Sequence, residues 1–262
     1  MTPRPGAGSV LGGFVLVMLA IGVGVLLNAL VTLRPRRGGL DADAVEMVVG
    51  DMRSPMQVLT SHLEVLRGRV TGDGANDVEA AIGGVRTLRR MTNSLLDVSR
   101  LEARRMPIRR SVVDLSVLAR DVVSAVRIIQ PMCDIAVETR GDLACSCDSE
   151  VTRRVIENLV CNAMKVTPTG GRVRVVISGS QAQASIAVTD DGPMVPTEQR
   201  TRIFEAFRPE RVWSAAGDET SGLGLAFCRL AVDAQGGTIR IEDGTPRGTS
   251  IIVELPRSAR DG

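Results

Sequence analysis

The stretch NLVCNAMKVTPTGG, residues 158–171, decides the fold of this chain. Asn158, Asn162 and Lys165 recur at spacings of four and three residues, which places two amides and an ammonium within about 60° of one helix face. Asp148 or Ser149 can cap the start of that helix. Because amide oxygens bind Mg²⁺ and lysine is a compact charge for phosphate, this face suits a magnesium-bound triphosphate. Lys165 is the only lysine in the chain, which lends this interpretation modest support.

The sequence around this helix mixes helical and strand periodicity from about Val112 onward. The spacing of apolar residues predicts a helix over 117–128, strands over 172–178 and 184–189, and a closing strand over 248–255. This part of the chain is therefore predicted to form a two-layer α/β sandwich.

Upstream, two long amphipathic segments predict a helical hairpin. Asp41 is expected to cap the first helix, the turn at 72–74 to end it, and Asn76 or Asp77 to cap the second. The apolar seam of the first helix is expected to comprise Met52, Met56, Leu59, Leu63 and Leu66, and that of the second Ile82, Val85, Leu88, Met91, Leu95, Leu96, Val98 and Leu101. Since two helices alone are not expected to bury both stripes, the sequence predicts a dimeric four-helix bundle.

The N-terminal region predicts a membrane anchor. Residues 10–33 carry no charge and are long enough to span a bilayer as one transmembrane helix. A cleaved signal peptide is the alternative, although no cleavage site is evident. Arg34, Arg36 and Arg37 follow the apolar run, so the positive-inside rule places the N-terminal stub outside and the later domains in the cytoplasm.

Composition excludes some classes of function. The net charge is only +2, and aromatic residues make up 2% of the chain, which argues against nucleic-acid binding. Cys133, Cys145, Cys147, Cys161 and Cys228 include one Cys-x-Cys pair but no metal-binding pattern with the single His62, and they are interpreted as reduced structural thiols.

The hairpin carries a motif known from one protein family. Residues 50–56, GDMRSPM, resemble the phosphoacceptor box of the sensor histidine kinases, and LLDVSRLEARR resembles the end of their dimerisation module. Gly50 stands where the family has the histidine that takes the phosphate, and glycine offers no nucleophile. The resemblance implies that Asp51 orients that histidine and that Ser54 helps to position water for dephosphorylation of a response regulator. His62 lies one position off the heptad equivalent of residue 50, so it is a weak alternative acceptor.

The later segments resemble the family's nucleotide-binding boxes. Residues 158–168 are similar to its asparagine box, 190–196 to its first glycine box, 203–207 to its phenylalanine box and 221–225 to its second glycine box. The resemblance implies the GHKL ATP-binding fold shared with gyrase, heat-shock ninety chaperones and mismatch-repair ATPases. It implies ATP and Mg²⁺ as cofactors, with these ATP-binding residues: Asn158, Asn162 (also the Mg²⁺ ligand), Lys165, Asp190, Gly192, Arg208, Arg211, Gly222 and Gly224.

Some of these residues have specific implied roles. Asp190 accepts from the adenine amino group, Gly222 and Gly224 let backbone amides approach the phosphates, and Arg208 or Arg211 in a lid over 208–220 meets the γ-phosphate. Asn158 stands where the water-activating ATPases have glutamate, which favours phosphotransfer over hydrolysis. Two positions depart from the pattern, because Met194 and Thr220 replace box glycines.

The expected fold class is α+β: a transmembrane helix, a dimeric hairpin and the ATP-binding sandwich. The expected division is an external stub at 1–9, the transmembrane helix at 10–33 and a linker at 34–40. The dimerisation and degenerate acceptor hairpin follows at 41–105, a second linker at 106–112, the ATP-binding-like domain at 113–256 and a tail at 257–262. The resemblance places the protein in the bacterial inner membrane, with its C-terminal domains in the cytoplasm.

Three functions remain open from sequence. The first is a pseudokinase that pairs, as a homodimer or heterodimer through residues 41–105, and tunes a partner kinase or a response regulator. The second is an active kinase that phosphorylates a histidine in trans or an atypical site. The third, an anti-sigma type serine kinase, is disfavoured by the acceptor-box hairpin. No nucleic-acid partner is expected.

Overall fold

The computed structural model describes residues 42–129, 134–206, 222–245 and 247–257. The chain divides into two compact units, Met1–Ala103 and Arg104–Gly262. The first unit contributes a helical hairpin and the second a mixed sheet with helices.

The hairpin consists of helix α1, Ala42–Arg67, and helix α2, Asp73–Glu102. The predicted seam forms: Met52, Met56 and Leu63 of α1 are buried, and so are most of the predicted residues of α2. A cluster of Leu63, Val78, Ile82 and Val85 lies near the turn, with Leu59, Leu66 and Ala81 partly buried against it. One hairpin therefore buries more of its apolar surface than the sequence led us to expect.

Ion pairs at the two ends of the hairpin match its antiparallel register. Arg67 pairs with Glu79 at 2.6 Å near the turn, and Arg100 pairs with Glu46 at the open end. The turn differs from the prediction, because α1 ends at Arg67 and α2 already begins at Asp73. Gly72 precedes α2 with φ 69°, a left-handed conformation that glycine adopts without strain, so the predicted caps at Asn76 and Asp77 are wrong.

The second unit is built on a five-stranded mixed sheet in the order β2-β4-β5-β7-β6. Its strands are β2 (Asp134–Arg140), β4 (Arg172–Gly179), β5 (Gln183–Asp190), β6 (Thr238–Asp243) and β7 (Thr249–Pro256). Only β2 and β4 are parallel neighbours; the other neighbours run antiparallel. A separate antiparallel pair joins β1 (Ser111–Asp114) to β3 (Ala144–Cys147).

Three helices pack on the sheet: α3 (Leu115–Ile129), α4 (Ser149–Val166) and α5 (Leu223–Ala234). Alternate residues of the central strands, such as Val173, Val175 and Ile177 of β4, are fully buried, as expected for a sheet covered on one face. This is the predicted α/β sandwich. It places α4 beside β4 and β5, and the Val166 carbonyl at the end of α4 lies beside Gly192, just after β5.

The membrane prediction needs correction. Within the part of the chain that the structure describes, no helix is both long enough and apolar enough to span a bilayer. The longest of its helices, α1 and α2, are amphipathic and carry charged residues along their length. The transmembrane helix predicted at 10–33 lies outside the described residues, and so does the stub at 1–9. The transmembrane part of the expected fold class and the inner-membrane localisation are therefore without support, and we withdraw them.

Candidate functional site

Helix α4 is fixed at its start by a buried carboxylate. Asp148 is the N-cap and accepts hydrogen bonds from the backbone N–H groups of Glu150 and Val151, both at 3.1 Å. Its second oxygen accepts from the N–H of Arg109 at 2.7 Å. The Asp148 N–H in turn donates to Oε1 of Gln235, whose side chain is buried at the end of α5. These bonds set the position from which the later turns of α4 present their polar residues.

The predicted polar face of α4 exists as expected. Asn158 and Asn162 are half-buried and Lys165 is exposed, while the opposite face, including Leu159 and Ala163, is buried. The Nδ2 group of Asn158 donates to the carbonyl of Arg154 at 2.8 Å. This bond turns the Asn158 Oδ1 atom toward α5, where it would lie 3.0 Å from a Cβ added at Gly224.

Asp190 ends strand β5 and is only 4% exposed. Its carboxylate accepts a hydrogen bond from the N–H of Gly192 at 2.8 Å and a further bond from the N–H of Thr249. Burial disfavours the ionised form and raises the pKa of Asp190 to about 6, although the two N–H donors act in the opposite direction. A buried carboxyl group with few partners is suited to accept a hydrogen bond from a polar group of a ligand.

Two glycines allow the backbone to close around Asp190. A Cβ at Gly192 would lie 2.6 Å from the carbonyl of Val166, at the end of α4. A Cβ at Gly248 would lie 1.8 Å from the Asp190 carbonyl, and Gly248 has φ 88°. The end of α4, the end of β5 and the start of β7 thus meet at one place, and any side chain at these positions would separate them.

The second glycine box begins helix α5. Gly222 has φ 63° at the N-cap, a left-handed conformation, and Gly224 lies in the first turn, where its missing Cβ leaves room beside Asn158. Arg154 reinforces the contact between α4 and α5, since its guanidinium lies 4.3 Å from the ring centroid of Phe227. Arg208, Arg211 and Thr220 lie outside the described residues.

The structure accommodates Met194 without strain. Met194 is 59% exposed, and among the described residues Arg104 alone combines a side chain with a positive φ. Sequence reasoning missed the residue that holds this segment: the buried Thr249 donates its hydroxyl to the carbonyl of Pro193 at 3.0 Å and accepts from the N–H of Val195 at 3.3 Å.

The acceptor-box residues lie on the outside of α1. Gly50, Asp51 and Ser54 are all exposed, and a Cβ built at Gly50 has no atom within 4 Å. His62 is also exposed, and its Nδ1 atom lies 2.8 Å from the carbonyl oxygen of Val58. The predicted nucleotide residues that the structure describes all belong to the second unit, where Asn158 lies beside Gly224 and Asp190 beside Gly192, whereas the acceptor-box residues belong to the hairpin.

Comparison with known proteins defines the class of the second unit. Residues 147–259 match the family described as histidine kinase-, DNA gyrase B- and HSP90-like ATPases. The second unit is therefore a histidine kinase-like ATPase domain with the GHKL α/β fold.

Relatives extend the similarity beyond that domain. The sensor histidine kinase TmoS of Ectopseudomonas mendocina is 35% identical over 178 residues, which are 67% of this chain and 18% of TmoS. The kinase/phosphatase MprB of Mycolicibacterium vanbaalenii is 44% identical over 108 residues, 39% of this chain and 22% of MprB. The chain thus spans about a fifth of the length of these two relatives.

A solved structure covers both units. Full-length ShkA in complex with AMPPNP matches 82% of this chain and 46% of its own, with a TM-score of 0.70 and 25% identity. Together with the domain match and the curated relatives, this shows that the chain belongs to the sensor histidine kinase family. It carries a histidine kinase-like ATPase domain.

Proposed function

We propose that this chain is a signalling pseudokinase, which binds nucleotide but does not phosphorylate itself on histidine. The observation that carries the proposal is Gly50, which is exposed on α1 at the family's acceptor position. Phosphoryl transfer needs a nucleophile, and a glycine has none. The neighbouring Asp51 and Ser54 keep the family's residue types and stay exposed, so the loss is confined to one side chain.

His62 is a poor substitute for the missing acceptor. It lies twelve residues beyond position 50, about 18 Å along the axis of α1 at 1.5 Å per residue. A phosphoryl donor positioned for residue 50 would not reach it without a different docking geometry.

The nucleotide site supports ATP binding. We assign the adenine amino group to Asp190, Mg²⁺ to Asn162 with Asn158 beside it, and the phosphates to Lys165 and the backbone at Gly222 and Gly224. Arg208 or Arg211 is assigned to the γ-phosphate. Gly192 fits this arrangement, because its bare Cα lets the chain turn beside the Asp190 carboxylate.

The donor set suits this ligand chemically. The Oδ1 atom of Asn158 lies beside Gly224, which has no side chain to cover its backbone. An amide oxygen that can bind Mg²⁺ and a backbone that a phosphate can approach are therefore adjacent. Asp190 is buried and has acceptor capacity beyond the two N–H groups that it already binds, as an adenine amino donor requires.

We further propose that the hairpin pairs with a second hairpin, from its own kind or from a related kinase. Beside the buried seam each helix carries a row of half-buried apolar residues that one hairpin leaves partly in water. These rows comprise Val48, Leu59 and Leu66 on α1, and Ala81, Leu88 and Met91 on α2. Burying them between two hairpins would gain about 25 cal/mol per Å² of apolar surface.

The regulatory partner that we propose is a response regulator or an intact histidine kinase. Asp51 and Ser54 remain exposed beside the acceptor position, so the helix face to which the family resemblance assigns regulator chemistry is kept. Because the chain forms no phosphohistidine of its own, it acts on its partner by associating with it and by the conformation of the resulting complex, and not by phosphoryl transfer.

An active kinase that works in trans is the second candidate. It is favoured by one observation: Asn158, Asp190 and their glycines keep a geometry that a pure scaffold would not need. In a heterodimer, ATP bound here would phosphorylate a histidine supplied by the partner chain.

The test uses purified full chain with radiolabelled ATP, alone and with the histidine kinase or response regulator encoded near its gene. We expect no acid-labile label on the chain itself and a changed rate of label transfer between the partners. Label on a catalytically dead partner kinase that depends on Asn158 would favour the second candidate. No effect on either partner would contradict the regulatory role.

A further inference from the structure

Helices α4 and α5 lie against each other in antiparallel directions, and the candidate nucleotide site occupies one end of their interface. At that end the Oδ1 atom of Asn158 would lie 3.0 Å from a Cβ added at Gly224, in the first turn of α5. At the opposite end the N–H of Asp148, the N-cap of α4, donates to Oε1 of Gln235 at 2.8 Å, just after the last residue of α5. Asp148 precedes Asn158 by about 15 Å along the helix axis. The bond between Asp148 and Gln235 therefore helps to set the spacing of the two helices that the site requires.

The side chain of Gln235 is a buried junction between the two helices. It is 1% exposed. Besides the bond from Asp148, its Oε1 atom accepts from the hydroxyl of Thr152 at 3.4 Å, and its Nε2 group donates to the carbonyl of Ala231 at 3.3 Å. Both the acceptor and the donor of the amide are thus used, which fixes its orientation. A buried amide held in this way is costly to displace.

The segment that enters the second unit from the hairpin closes on this junction. The backbone N–H of Arg109 donates to Oδ2 of Asp148 at 2.7 Å, and Nη2 of Arg110 donates to the backbone carbonyl of Gln235 at 2.7 Å. A Cβ added at Gly236 would lie 3.8 Å from the same Nη2 atom, so the guanidinium lies over the turn that follows α5. Two consecutive residues therefore bridge the start of α4 and the end of α5, and with the Asp148 to Gln235 bond they form a closed ring.

This segment is suited to take two positions, docked and released. Arg109 and Arg110 are exposed and belong to no helix or strand, and residues 103–108 are all that separates them from the end of α2. Exposed backbone outside regular structure opens at a lower cost in free energy than the core of a sheet. Because the chain passes through this segment, a movement of the hairpin that pulls on it reaches these two hydrogen bonds before it reaches the sheet.

We propose that residues 109–110 regulate the nucleotide site through Asp148 and Gln235. When the segment is docked, α4 and α5 keep the spacing that the site needs, and when it is released, the affinity for nucleotide falls. Since coupling between two equilibria is reciprocal, bound nucleotide also holds the segment in its docked position. This inference rests on the proposed nucleotide binding, and it gives a chain without an acceptor histidine a way to report bound nucleotide to its hairpin.

The first test measures the affinity of the full chain for AMPPNP with Mg²⁺ by calorimetry. Arg110→Ala removes the bond to the Gln235 carbonyl and should weaken binding about fivefold. Arg109→Ala is the matched control, because Arg109 contributes its backbone N–H, which alanine keeps. The control should bind AMPPNP as the wild type does.

The second test follows the exchange of the Arg109 amide proton by NMR in the wild-type chain, since this proton makes the bond to Asp148. Saturating AMPPNP should slow its exchange, which a purely structural role of the segment would not produce. Equal affinity in Arg110→Ala and wild type, or exchange at Arg109 that does not respond to AMPPNP, would overturn the proposal and leave nucleotide binding itself intact. A wild-type chain that binds no AMPPNP would overturn both. If Arg110→Ala does not fold, the exchange measurement on wild type decides alone.

Discussion

At the scale of single residues, Asp190 shows how the site conflicts with the stability of the domain. Its carboxyl group is buried, and its pKa is raised to about 6 from the ordinary value of 3.8. The folded state therefore favours the protonated form, and the ionised form costs stability. This cost develops as pH rises from about 4 to about 6 and is complete above that range.

The first prediction concerns Asp190→Asn. At pH 7.5 we expect this change to stabilise the ligand-free chain by about 1 to 3 kcal/mol, because it removes a buried charge while keeping an acceptor for the Gly192 N–H. The gain should vanish near pH 3, where the wild-type carboxyl is protonated in both the folded and the unfolded state. Denaturant unfolding at the two pH values measures this.

The same variant should lose adenine nucleotide binding in calorimetry. Asp191→Asn is the matched control, since Asp191 is half-exposed and accepts instead from the N–H of Arg172 at 3.0 Å. A variant that is less stable than wild type at pH 7.5, or that binds ATP normally, would contradict the assignment of Asp190.

The second prediction concerns two glycines whose replacement by alanine should change stability in opposite directions. Gly192→Ala should destabilise the second unit and weaken nucleotide binding, because its Cβ would lie 2.6 Å from the Val166 carbonyl. Gly50→Ala should stabilise the hairpin by about 1 kcal/mol, because helix propensity improves and the space is open. Thermal unfolding of both variants measures the contrast, and equal effects would refute this reading of the two positions.

At the scale of elements, the start of α4 gives the third prediction. Asp148→Ala removes the N-cap bonds and also leaves the N–H of Arg109 without its acceptor. We expect a loss of about 1 to 3 kcal/mol of stability and weaker nucleotide binding, because the helix that carries Asn158 loses its anchor. Glu150→Ala, at an exposed site in the same turn, is the control and should change stability little. Similar stability in both variants would contradict the anchoring role.

The elements also show where sequence reasoning succeeds and where it stops. Helix α3, predicted over 117–128 and observed at Leu115–Ile129, and strands β4, β5 and β7 follow from strong local periodicity. Strands β1 and β3 have only four residues each and depend on pairing between distant segments, which no local pattern reveals. The start of α2 was misplaced because the helix begins after Gly72, which has a positive φ and makes no side-chain cap, so no capping side chain marks this start in the sequence.

The candidate site divides in the same way. The i, i+4, i+7 spacing on α4 is local and was readable from the sequence. By contrast, Gly248 closes on the Asp190 carbonyl from a strand 58 residues later, and Thr249 supports Pro193 and Val195 across a similar gap. Such contacts depend on the sheet order and not on any motif spacing.

At the scale of the whole molecule, the fourth prediction is that the hairpin associates. Leu59→Asp with Met91→Asp places charges in the two half-buried rows and should give a monomer in analytical ultracentrifugation. Val65→Asp changes a position of α1 that is 53% exposed and lies about 100° around the helix from Leu66, and it should leave the association unchanged. Leu95 is unsuitable for this test, because it is buried within a single hairpin and its replacement would unfold the helices. A wild-type chain that sediments as a monomer at high micromolar concentration would contradict the prediction.

The central claim is that one side chain, missing at position 50, separates this chain from an autokinase. The most direct measurement incubates wild type, Gly50→His and His62→Ala with radiolabelled ATP and follows acid-labile label. A Cβ at position 50 has no atom within 4 Å, so the histidine of Gly50→His is accommodated on α1 without a change of fold. Any label that this variant gains therefore reports the restored nucleophile. We predict no label on wild type or on His62→Ala, and label on Gly50→His. Acid-labile label on the wild-type chain that disappears in His62→Ala would contradict the account.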